Sequence, residues 1–149
     1  MRRQRGRLQR ARKNRDGIGV LSSLGSSGIL AEVLMPGFSQ GLKDAGFVEG
    51  RNISIEIRHA DDHYDRLPSL AAELVRRDVA AIWAPDLPAT FAAKAATKTI
   101  PIVFGIGADP IKVGLVDSLS RPQGNLTGFN VFLSQVGRVG AAFPFQLVT

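Results

Sequence analysis

Seven residues of this 149-residue chain have the types and spacing to hold a small ligand: Ser22, Ser23, Pro85, Asp86, Gly107, Asp109 and Asn130. Each closes an apolar run or follows one, where main-chain N–H groups are left unpaired at the start of the next element. An ammonium group could pair with Asp86 or Asp109. A carboxylate could take the serine hydroxyls and the N–H groups at a helix start. This is recognition chemistry for a small polar or zwitterionic solute. Plainer roles exist for the same residues. Asp109-Pro110 and Asp86-Leu87-Pro88 both set an aspartate at the cap position with a proline in the first helical turn. Ser22 and Ser23 can cap a loop, and Gly105 and Gly107 can supply backbone freedom. The roles can coexist, and the sequence leaves them open.

Catalytic chemistry is poorly supported. "GIGADP" (105–110) and "GIGVLS" (17–22) begin like G-x-G-x-x-G, but each lacks the third glycine. Neither G-x-x-x-x-G-K-[ST] nor G-x-S-x-G occurs. The acidic pair Asp61-Asp62 follows the second strand without a lysine placed to serve it, and reads as a solvated loop. His59 alternates within a strand and is expected to face solvent, while His63 and Tyr64 precede a helix. With two histidines and no cysteine, the chain offers no metal cage and no disulfide. No cofactor is expected. The enzyme alternative, a doubly wound nucleotide-binding domain, lacks its phosphate loop.

The elements that must position these residues follow from hydrophobic periodicity. "GIGVLSS" is a short buried strand. Residues 29–45 read as a helix through Leu30, Val33, Leu34, Phe38 and Leu42, with Pro36 kinking it or marking a late start and Gly46 ending it. "ISIEIRHA" (53–60) alternates as a half-buried, edge-type strand. Asp65 is expected to cap the next helix, whose stripe is Leu67, Leu70, Ala71, Leu74 and Val75. "VAAIWA" (79–84) and "IPIVFG" (100–105) are continuous apolar strands on either side of an alanine-rich helix over 85–99. Residues 110–120 make a short helix or two turns, and "LTGFN" (126–130) is a fifth short strand. Strands alternating with helices imply right-handed crossovers and a parallel sheet covered on both faces. The fold class is therefore α/β, a doubly wound parallel sheet. In such sheets ligands bind outside the carboxyl ends of the strands, and the seven residues follow strand ends.

The charge balance divides the chain. The net charge is +6, but residues 1–15 hold eight basic residues and no acid, leaving eleven basic against thirteen acidic elsewhere. The body is thus slightly acidic, at −2. The arrangement reads as a basic tail over 1–16, a lobe over 17–130 and an atypical C-terminal tail over 131–149. The tail resembles a nucleic-acid arm in charge only, since no aromatic is interleaved, and no nucleic-acid partner is expected. It has the positive region of an export signal without the apolar core of roughly 7–15 residues. A 44% hydrophobic and 21% charged composition is ordinary for a globular domain.

Several motifs occur in order: "GLKDAGFVEGRN", "YDRLP", "AAKAATKTIPIVF", "DPIKVGLV" and "PQGNLTG". Over residues 17–130 the chain closely resembles the substrate-binding proteins of ABC importers, in the type I periplasmic-binding-protein branch associated with tryptophan, tyrosine and other small solutes. Gln123 stands where that branch is expected to have glycine. The resemblance implies two α/β lobes closing on an amino-acid-like solute, no catalysis, a membrane permease as partner and a periplasmic location. The seven residues then fall where a first lobe faces its ligand. This chain is expected to be that first lobe alone, with weak binding and with self-association through its uncovered face.

Overall fold

The computed structural model describes residues 16–116, 124–131 and 145–148. Six strands form one sheet: β1 (Gly17–Ser22), β2 (Ser54–His59), β3 (Ala81–Ala84), β4 (Ile102–Ile106), β5 (Leu126–Val131) and β6 (Phe145–Val148). Their order across the sheet is β2-β1-β3-β4-β5-β6. The first five are parallel, and β6 runs antiparallel to β5 with Val131 opposite Phe145. The five parallel strands are the expected ones. β6 was not anticipated, because the sequence after residue 131 has no alternation that stands out.

Among the described residues, three α-helices join the strands: α1 (Met35–Asp44), α2 (Leu67–Arg76) and α3 (Leu87–Ala96). α2 and α3 cover one face of the sheet and α1 lies against the other, which is the double winding expected. The main core lies under α2 and α3. Leu21, Ile82, Ala84, Ile102, Phe104 and Ile106 from the strands meet Leu67, Ala71, Leu74, Ala89 and Ala93 from the helices. Alternation along each strand sends these residues to one face. Gly19 belongs to that face: a Cβ there would come within 3.0 Å of both Leu74 methyl carbons, so glycine lets α2 sit close.

Among the described residues, the opposite face is thinly covered. α1 has no fully buried residue, though Phe38 stacks on Trp83 with ring centroids 4.4 Å apart. A cavity of about 420 Å³ remains between α1 and the sheet, lined by Ile18, Val33, Gly37, Phe38, Trp83 and Val103 among others. Ile29 and Val33 are each 61% exposed.

Pro36 has the effect its position implies. A π turn over Leu30–Leu34 precedes α1, and the Met35 N–H donates to the Leu30 carbonyl five residues back. The helix therefore enters its α segment just where proline withdraws a donor. Gly46 (φ +90) closes α1.

Two expectations are corrected here. Asp65 does not cap α2; it lies inside a 3₁₀ turn (Tyr64–Arg66), and Arg66 holds the cap position without a side-chain bond. His59 does not simply face solvent: its Nδ1 is buried and has no hydrogen-bond partner. The edge strand β2 pairs instead through its other face, with Arg58 donating to Glu73 at 2.8 Å and Glu56 pairing with Arg77. Hydrogen bonding from Arg77, then the charge of Glu56, raises the already high pKa of that guanidinium. The sign is the usual one for a raised base: the contribution is present below the ordinary arginine range and lost only above it, so this arginine imposes no pH dependence near neutrality.

Candidate functional site

The strand order places the carboxyl ends of β1, β3, β4 and β5 side by side, and the register aligns them. Val20 pairs with Trp83, Ala84 with Phe104, and Ile106 with Asn130. The loops after these strands therefore emerge along one edge of the sheet. All seven candidate residues lie on that edge.

Three of them form a closed network. Asp86 has an extended backbone (φ −141, ψ 162) and caps α3, its Oδ1 accepting from the Ala89 N–H at 3.0 Å. Its Oδ2 accepts from the Ser22 hydroxyl at 2.9 Å and from the Ser23 N–H at 3.0 Å. Ser22 Oγ in turn accepts from the Leu24 N–H at 3.1 Å. Ser22 and Ser23 are 0% and 2% exposed. The Thr90 hydroxyl donates to the Asp86 carbonyl at 2.7 Å, fixing the cap from within the helix. Asp86 is thus both a helix cap and a latch between the loops after β1 and β3. With three protein donors on its oxygens, it is already held in one rotamer. Pro85 precedes it, half-buried.

The loop after β4 is built differently. Gly107 is exposed and Asp109 half-buried. Asp109 Oδ1 accepts from the Ile111 N–H at 2.9 Å and the Lys112 N–H at 3.3 Å. Residues 110–115 then make consecutive turns and no regular helix. Asp109 therefore closes a turn with its own carboxylate, and the helix that its cap reading expected does not form over 110–115. Asn130 stands at the end of β5, directly beside Ile106.

One contact had no signal in the sequence. Lys94 Nζ on α3 donates to the Leu115 carbonyl at 2.9 Å, joining that helix to the turn led by Asp109. A lysine on an alanine-rich helix reads as a solvent-facing charge, and only the fold brings it to residue 115.

Among the described residues the edge offers hydroxyls, main-chain N–H groups and carboxylates. The Ser22 hydroxyl donates to the Asp86 carboxylate, which is itself committed to capping α3.

The model of the family described as ABC transporter substrate binding protein matches residues 18–139. The chain belongs to this family.

Substrate-binding relatives agree in sequence and in structure. The chain is 38% identical over 98 residues to a tyrosine-binding protein of Clostridioides difficile (strain R20291), a match covering 66% of this chain and 28% of that protein. Among solved structures, a substrate-binding protein with adhesive properties from Clostridium difficile, in its ligand-free, open form, superposes with TM-score 0.72 at 29% identity. That match covers 79% of this chain and 39% of the other. An ABC domain in complex with L-Trp from Streptococcus pneumonia gives TM-score 0.69 at 26% identity, over 76% of this chain and 38% of the other. The chain therefore spans well under half the length of these substrate-binding relatives.

Proposed function

We propose that this chain supplies one solute-facing lobe of an ABC importer's substrate-binding protein, and that its ligand is an amino-acid-like solute. The observation that carries the reading is the alignment of four strand ends, which gathers Ser22, Ser23, Pro85, Asp86, Gly107, Asp109 and Asn130 on one edge. The relatives named for tyrosine and for L-Trp support an aromatic amino acid as the first solute to try. Asp86 works mainly by holding the serine loop in place. The solute's charged groups meet main-chain N–H groups and the Asp109 loop. No bond is made or broken; binding itself is the activity. The partner is a membrane permease, and the place of work is outside the cytoplasm. Neither a cofactor nor nucleic acid enters this reading.

One edge provides one wall. Solute pockets bury about 70–90% of a ligand's surface, and a single wall falls short of that. These 149 residues alone are therefore expected to bind weakly. The thin cover over the α1 face favours self-association. Titration calorimetry with L-tyrosine, L-tryptophan and the branched amino acids tests the binding claim. Binding in the millimolar range is expected from this chain; micromolar binding would show that one wall suffices and overturn the partial-site reading. Amide shifts confined to residues 22–24 and 107–113 under millimolar solute would support the assigned edge, and shifts elsewhere would move the site.

A further inference from the structure

The turn that carries Asp109 is internally ordered. The Val113 N–H donates to the Asp109 carbonyl at 3.1 Å and the Leu115 N–H to the Pro110 carbonyl at 2.9 Å. Leu115 and Val116 then plug into the core. The last carbonyl of the turn is tied to a residue outside it. Lys94 Nζ meets the Leu115 carbonyl there, at 2.9 Å. A charge-assisted bond of this kind is stronger than a neutral one.

Lys94 stands eight residues along from Asp86, about 12 Å at the helical rise. The helix between them is anchored by buried Ala89, Thr90 and Ala93. One end of α3 thus holds the Ser22–Ser23 loop through Asp86, and the other end holds the Asp109 turn through Lys94. We propose that Lys94 is a positioning residue, fixing the Asp109 turn on α3 and so setting it against the Ser22–Asp86 latch. This rests on the reading of the strand ends as the solute edge. The competing view makes Lys94 an ordinary exposed lysine whose contact contributes nothing to the loop.

The test is amide hydrogen exchange by NMR on the full chain with Lys94→Met, which keeps the aliphatic stem and removes the donor, and with Lys94→Arg, which keeps donors. In Lys94→Met, exchange at Val113, Gly114 and Leu115 should rise about fivefold, the order of one net hydrogen bond. The Leu24 amide, bonded to Ser22, should be unchanged, and Lys94→Arg should restore protection. Unchanged exchange at 113–115 in Lys94→Met overturns the proposal. So does an equal rise at Leu24, which would mean general loss of stability. An L-tryptophan titration adds a second reading: Lys94→Met should lose the shifts at 109–113 and keep those at 22–24. If the wild-type chain shows no shift with L-tryptophan or L-tyrosine, the solute-edge reading fails, while exchange at Leu115 still decides what Lys94 does.

Discussion

Asp86 shows how one side chain can answer two questions. The dipeptide pattern before Leu87-Pro88 foretold a cap, and a cap is present. The bonds to Ser22 and Ser23 were not foretold, because 63 and 64 residues separate the partners and only strand order brings them together. Removing the carboxylate leaves three donors without their acceptor, two of them in a buried loop. Asp86→Ala should cost about 2–4 kcal/mol, combining a lost cap with unsatisfied polar groups. Urea denaturation of that variant measures the cost, and a loss under about 1 kcal/mol would mean the Ser22–Asp86 bonds add little beyond the cap. His59 marks the opposite failure. Strand alternation assigns a side, but the side away from α2 and α3 still carries a helix and its loop. A residue on that side can therefore be half-covered and leave a ring nitrogen buried. Asp65 was misplaced for a related reason: the chain spends Tyr64–Arg66 on a 3₁₀ turn before α2 begins, which shifts the cap beyond it.

At the scale of elements, the alternation of apolar runs with helical stripes carried the order of strands and helices almost unaided. The apolar runs "AIWA" and "IVF" are buried strands because helices lie on both sides of the sheet. The stretch after Pro110 became turns where a helix was equally open, and Gly114 (φ +77) is a local reason, since that conformation breaks a helix. Gly128 illustrates a constraint invisible in the sequence. It pairs with Phe104, and a Cβ there would meet the Phe104 carbonyl oxygen and come within 2.7–2.8 Å of its ring. Neither can retreat without breaking the ladder between β4 and β5. Gly128→Ala should therefore destabilise by about 3 kcal/mol, at the upper end for overpacking. Thermal unfolding measures it, and an unchanged midpoint would show that the two strands can separate at no cost. β6 lay beyond such reasoning, because a short antiparallel edge strand needs only a partner, and the partner is known only once β5 is placed.

The molecule as a whole is asymmetric in its cover. Among the described residues, one face is packed under α2 and α3, and the other carries α1 over a cavity of about 420 Å³ with exposed Ile29 and Val33 beside it. Apolar surface of this kind favours association. Sedimentation velocity across a hundredfold range of concentration should show a shift toward dimers or larger species, reduced by Val33→Glu. A concentration-independent monomer would refute self-association through this face. The sequence was informative about the edge, since the rule for open sheets needs only strand ends. It was silent about the uneven cover, which depends on how far one helix reaches across five parallel strands.

The π turn before α1 has a consequence for the length of the chain. A bond from Met35 back to Leu30 spans one residue more than an α turn does. The surplus residue is absorbed locally, and from Met35 onward the helix keeps the phase that sets Phe38 on Trp83. Deleting Ala31 should convert the π turn to an ordinary one and leave that stack in place. The shortened chain should then fold with near-normal stability, whereas deleting Ala72 from α2 would rotate Leu74 out of the core and abolish folding. Here the protein carries a place where its reading frame of side chains, though not its fold, has room for one residue more or less.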